Sequence, residues 1–261
     1  MHNFWYHSPV RFYRTLAELQ DKRNPQNNQF YGEGQPYPLE VSVIHSFYLP
    51  MHNTIQVNPD NCKLFLINDS GIEELSAEFK ANSDFTLSYV TFICHKLISG
   101  RLGISADNGY SFIYYSNCVK FVDSTLDDGR KFIRILTRHN YNRNLFNYEL
   151  GFYILTNLPA YDLGQFTLET EITNSRVGGN NTLQIAESYL DEIVTYKFDC
   201  KGDSNILTFI QMATTNNEFY IDGTKRTLVE KIDADEFAMT GIMKFANVKD
   251  EYGLNITLNY T

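Results

Sequence analysis

Residues 131–138 read KFIRILTR, and how this stretch is buried decides the fold. If successive side chains alternate, Lys131, Ile133, Ile135 and Thr137 point one way and Phe132, Arg134, Leu136 and Arg138 the other. Each face is then half apolar. A strand with a single buried face sorts polar from apolar more cleanly, so both faces are expected to be covered, with the Arg stems lying along the second. Two covers fit: another part of the same chain, making this a central strand near a domain junction, or another copy of the chain.

The wider stretch 130–149, RKFIRILTRHNYNRNLFNYE, holds five Arg or Lys residues and four aromatic rings, which raises the alternative of a nucleic-acid surface. The whole chain opposes it. Its formal charge is −9, which repels a phosphate backbone unless a basic patch is segregated. Asp123, Asp127 and Asp128 lie just upstream and balance this one.

On either side the sequence has the rhythm of an antiparallel β protein. Short apolar runs (VSVIHSFYL, TIQV, KLFLI, FTLSYVTFICHKLI, YSFIYY, VKFV) alternate with the breakers NPDN, NDSG, ANSD, ISG and DNG, as in sandwiches. Asp107-Asn108-Gly109 predicts one hairpin, because Asn and Gly tolerate positive φ, and Asp127-Asp128-Gly129 a second. The second half continues with KFIRILTR, NYELGFYIL, FTLETEIT, EIVTYKFDC, NILTFIQMA, EFYI, KRTLVEKI and LNITLNY, broken at Gly178-Gly179-Asn180, Lys201-Gly202-Asp203 and Asp222-Gly223. Only QIAESYLDEI is ambiguous, as a helical turn ahead of a strand. The expectation is an all-β chain: an N-terminal arm over 1–40, one β-sandwich over 41–126 and a second over 127–261.

The arm is irregular, with Pro9, Pro25, Pro36 and Pro38, and Thr15 three residues before Glu18 predicts a short capped helix, TLAELQDKR. Phe4, Trp5, Tyr6, Phe12 and Tyr13 crowd its start. So much ring surface is costly in water, so these rings either fold back on the body or dock on a neighbouring subunit; with Arg134 and Arg138 they form the expected protein interface.

Signatures of chemistry are sparse. No G-x-S-x-G, G-x-x-x-x-G-K-[ST], H-E-x-x-H or dinucleotide fingerprint occurs. Cys94 and His95 are adjacent, and neighbours on a strand face opposite ways, so they cannot pair as nucleophile and base. His45, His52 and His95 could form a metal site if loops brought them together, though nothing in their spacing requires it, and Cys62, Cys94, Cys118 and Cys200 lack the spacing of a zinc or disulfide framework. Glu169 and Glu171 share a strand face, as a glycosidase pair or a solvated surface would, and Asp233, Asp235 and Glu236 are further acids. Tyr-rich surfaces stack on sugars, which keeps a carbohydrate-binding or host-adhesion module in view, although Trp5 is the sole Trp. No catalytic, cofactor or metal residue is expected. No apolar run approaches the ~18 residues of a membrane span, and the N-terminus lacks a signal-peptide pattern.

Residues 114–149 resemble virion proteins of tailed bacteriophages that infect Bacteroidetes, including the crAss-like group. The resemblance lies in Tyr115-Ser116-Asn117, the strand ending at Val122-Asp123, the strand bearing Arg134 and Arg138, and the Asn/Tyr-rich segment from Asn140 to Tyr148. Glu218-Phe219-Tyr220-Ile221-Asp222-Gly223-Thr224-Lys225 adds a second likeness. The resemblance implies tandem immunoglobulin-like sandwiches serving as one subunit of a closed ring or hub in the neck or tail. It further implies homo-oligomeric and other virion partners and assembly in the host cytoplasm.

Overall fold

The structure, a computed structural model, describes residues 10, 12–15, 39–43, 47–52, 58–81, 87–107, 111–123, 126, 128–138, 153–164, 167–177, 182–199, 204–216, 218–234 and 240–258. The strands in chain order are β1 (Phe12–Tyr13), β2 (Leu39–Ser42), β3 (Phe47–His52), β4 (Lys63–Asn68), β5 (Gly71–Leu75), β6 (Ala77–Ala81), β7 (Leu87–Phe92) and β8 (Ser99–Ser105). There follow β9 (Phe112–Val122), β10 (Lys131–Arg138), β11 (Tyr153–Asp162), β12 (Thr167–Val177), β13 (Thr182–Asp199), β14 (Glu218–Ile221), β15 (Thr224–Ala234) and β16 (Thr240–Asn247). Among the described residues one α-helix, α1 (Ser204–Ala213), joins β13 to β14. The chain is all-β.

Six strands form one sheet, in the order β1-β9-β8-β4-β5, with β2 running parallel to β9. It faces β3, β7 and β6 across a sandwich core in which Phe92 meets Phe121 edge-on at 6.4 Å. Those three strands belong to the second sheet, because β3 pairs with β11 at Tyr48 and Leu155. Strands from the 41–126 segment are thus hydrogen-bonded into the sheet of the 127–261 segment, and one buried apolar cluster runs through both.

Farther along β11 the neighbour changes, and Ala160 pairs with Phe198 of β13. That contact closes a ring: β10, β11, β13, β16, β15 and β14 each pair with the next, and β14 pairs back to β10. The second half is therefore an antiparallel barrel. Phe198, Phe219, Met243, Phe245, Ile133 and Ile135 belong to its buried cluster, and Phe219 stacks on Phe245 at 5.7 Å. Closure removes the edges that a sandwich leaves open.

NILTFIQMA, expected as a strand, is helical. Ile206, Leu207, Phe209, Ile210 and Ala213 are all buried, and positions 206, 209, 210 and 213 form the stripe of a 3.6-residue period. Leu207 packs where a side chain on Gly241 would stand. The Thr137 hydroxyl accepts from Asn216 Nδ2 at 2.7 Å and lies 3.2 Å from the carbonyl of Ala213, within reach of one of the helix's last acceptors.

Other expectations change for local reasons. The ISG read as a turn opens β8, a central strand, where a Cβ on Gly100 would come within 2.6 Å of the Ile67 carbonyl of β4. Asp127-Asp128-Gly129 makes no hairpin, since β9 and β10 lie in different sheets. QIAESYLDEI is continuous strand within β13, held by β12. The hairpin at Asp222-Gly223 forms as expected, both residues having positive φ (48° and 81°) between paired Ile221 and Thr224. The segment expected as a capped helix lies outside the described residues beyond Thr15.

Candidate assembly surfaces

β10 is covered on both faces by its own chain. Ile133, Ile135 and Thr137 are buried on one, while on the other Leu136 forms a small cluster with Leu155 of β11 and Tyr220 of β14. Arg134 is half-buried, and its backbone N–H donates to Asp222 Oδ1 at 2.8 Å. Arg138 closes the strand between Tyr153 and Glu218. Just ahead of β10, Arg130 Nη1 donates to Glu40 Oε2 of β2 at 2.8 Å, and its Nε donates to Asp128. Glu40 and Arg130 are 8% and 7% exposed, so this ion pair fastens the strand that follows the arm to the barrel. Burial works against the Arg130 charge, but Glu40 and Asp128 outweigh it and raise its pKa.

Of the arm's aromatic residues, Phe12 and Tyr13 form β1, paired with Ser116 and Tyr115 of β9. Tyr13 is 2% exposed, so its ring is buried within its own chain. Phe4, Trp5 and Tyr6 lie outside the described residues.

The barrel end away from α1 carries a polar network. Lys131 Nζ pairs with Asp162 at 2.5 Å and lies 5.9 Å from the centre of the Tyr196 ring. Arg226 Nη1 donates to Asn247 Oδ1 at 2.6 Å, and Asn247 Nδ2 donates to Glu192 Oε2 at 2.8 Å. Asn255 Nδ2 reaches the same oxygen at 3.4 Å. Burial pushes the Tyr196 phenol up to about 12, with Arg226 pulling it down and Asp222 and Asp162 pushing it further up. Asp162, despite its own desolvation, is held below the usual carboxylate range by Lys131 and the Gly164 N–H. Neither group is poised to exchange a proton near neutral pH. What the network does is fix Glu192, the residue at which β13 leaves the barrel.

Beyond Glu192 the chain forms a ribbon. Residues 182–192 of β13 pair with β12 alone, and β12 has no other strand partner among the described residues. Glu169 stands opposite Asp191, and Glu171 opposite Tyr189, so the two acids expected to share a face do so at register positions on the ribbon. Like charges directly across a ladder are destabilising.

His52 lies on β3, exposed His95 follows β7, and His45 is outside the described residues. Among the described residues no group of three His, Cys, Asp or Glu side chains is arranged to hold a metal ion. Cys94 is buried, with its thiol pushed up by burial, and half-buried Cys62 is raised to about 11 for the same reason. Neither favours the reactive thiolate. No described helix is long and apolar enough to cross a membrane. Glu192, Asn247, Asn255 and the Glu40–Arg130 pair were not singled out from the sequence, because each gains its role from partners 55 to 90 residues away.

These features define an all-β protein in which a two-sheet sandwich and a helix-capped barrel share strand β11, with a ribbon rooted at the barrel's far end. Comparison with family models, curated proteins and solved structures returned no match for this chain.

Proposed function

We propose that the chain is a virion structural protein, a subunit of an oligomeric ring or hub in the tail or neck of a tailed bacteriophage, where it joins neighbouring virion proteins. The observation that supports this reading most is the ribbon. A lone two-stranded hairpin is marginal in water, so eleven-residue β12, paired among the described residues with β13 alone, calls for a partner, and linking subunits is a task that such a ribbon can serve. In this proposal the first half's sandwich is an immunoglobulin-like unit beside the closed barrel, and the protein works through contacts, without cofactor or catalysis. Residues 1–40 act as an arm: Phe4, Trp5 and Tyr6 anchor it to a neighbour, while buried Tyr13 and, at its end, Glu40 hold it to its own chain.

Two measurements test the proposal. Mass spectrometry of purified particles is expected to find this chain at a stoichiometry set by a ring, and negative-stain images of the isolated protein to show closed rings or their fragments. Its presence in infected cells but absence from purified particles would overturn the reading. Strong, selective binding on a glycan array would favour a host-adhesion module instead.

A further inference from the structure

The polar end of the barrel carries an inference that does not depend on the assembly role. We propose that this mouth binds the carboxylate group of a small molecule, held by the Nε edge of the Arg226 guanidinium and the hydroxyl of Tyr196.

Side chains alternate along each strand, so the buried cluster fixes which residues share the barrel's inner face. Ile133 sets Lys131 on that face, Leu158 and Ala160 set Asp162, Phe198 sets Tyr196 and Glu192, and Phe245 sets Asn247 with its ladder partner Arg226. All of them fall at the end away from α1, where the inner face turns from apolar to polar. Mouths of β-barrels are frequent ligand sites. Tyr196 stands opposite Asp162 on the ladder, and Arg226 lies close enough to act on the titration of both.

Both carboxylates of the mouth are already engaged. Asp162 takes Lys131 and the Gly164 N–H, and Glu192 takes the amides of Asn247 and Asn255. Two donors are left over. Arg226 Nη1 donates to the Asn247 amide oxygen, but Nε is shielded from solvent without an acceptor, and Arg226 joins no ion pair among the described residues. Tyr196 is 3% exposed, and its phenol, at about 12, is shifted by burial and by charges, with no hydrogen bond to its oxygen. A buried donor left unmet is costly, a charged one most of all. Arg101 also has a shielded nitrogen without an acceptor, yet its ladder neighbours Ile67 and Cys118 bring no second cation or phenol beside it. Guanidinium edges favour carboxylate and phosphate. Lys131 and Arg226 offset Asp162 and Glu192, so a singly charged carboxylate is tolerated here better than a doubly charged phosphate, which the two acids repel more strongly. Both donors are recessed, which suits a small molecule better than the surface of a protein.

The test uses the full chain and nuclear magnetic resonance of its arginine side chains. Acetate and benzoate, added at tens of millimolar against chloride of equal ionic strength, are expected to shift the Arg226 Nε–H signal and to saturate it; the signal is assigned by its loss in Arg226→Lys. Inorganic phosphate is expected to bind more weakly than either. Affinities of the variants are read from the rise in unfolding temperature that benzoate produces. Arg226→Lys keeps the charge but loses the planar fork and is expected to weaken binding roughly tenfold or more. Tyr196→Phe deletes one oxygen, is expected to weaken binding about threefold, and keeps the test open if the lysine variant does not fold. An Arg226 signal that stays put in both carboxylates, phosphate that binds more tightly than they do, or variants that bind as well as the wild type would overturn the proposal. None of these results bears on whether the chain is found in particles, so this inference and the proposed function fail separately.

Discussion

The two halves of β13 share a strand and differ in company. From Ile193 to Asp199 it runs beside β16, with β11 meeting it from Tyr196 to Phe198, and Tyr196 and Phe198 are 3% and 0% exposed. From Thr182 to Glu192 it has, among the described residues, β12 alone. The first half is enclosed by non-local partners, whereas the second pairs, among the described residues, with its hairpin neighbour only. Where strand propensity is similar, what lies alongside is expected to set which half is the more stable.

Substitutions sharpen that contrast. Phe198→Ala empties the barrel core and is expected to lower the free energy of unfolding by ~3–5 kcal/mol in urea titrations, whereas Ile172→Lys on the ribbon is expected to leave the same transition within ~0.5 kcal/mol. Equal effects at the two sites would erase the distinction between the halves. Arg130→Met takes its nearest cation from the buried Glu40 carboxylate, leaving Lys120 at 3.9 Å, and is expected to cost about 3 kcal/mol, most of it recovered by adding Glu40→Leu. A double variant no better than the single would mean that the pair matters for more than its mutual neutralisation.

The smallest effect is expected from acid. Asp128 and Asp162 titrate below their ordinary value of 3.8 in the folded chain. For Asp128, hydrogen bonds and charge from Arg130 overcome its desolvation. A carboxyl with a depressed folded pKa binds more protons when unfolded, so its contribution is complete above the unfolded pKa and fades as pH falls through the folded one. Unfolding midpoints are therefore expected to hold steady down to about pH 5 and then decline. Asp162→Asn should make that decline shallower, and an unchanged slope would remove Asp162 as a source.

Much of this was legible in particular residues. The mixed faces of KFIRILTR announced a strand buried on both sides, and in the structure Leu136 is buried within its own chain beside its ladder partners Leu155 and Tyr220. Asp222-Gly223 announced its turn. The helix was not legible because ILTFI satisfies a strand's alternation as readily as a helix's stripe, and what selects the helix is the space at Gly241 on a strand 34 residues beyond Leu207. β8 was hidden by Gly100, whose missing side chain admits the Ile67 carbonyl. Glu169 and Glu171 read correctly as one strand face, yet nothing local says that among the described residues this strand pairs with β13 alone, because barrel closure depends on β11 meeting β13. The Arg134 and Arg138 positions were readable as strand, and their surroundings were not.

The continuity of β13 also has a mechanical meaning. A pull on the ribbon travels along one unbroken backbone into the barrel, where the ladder bonds to β11 and β16 lie across the direction of pull. They are loaded together, in shear, and not peeled one at a time. A joint made through the ribbon would accordingly transmit tension into the body of the subunit before it came apart.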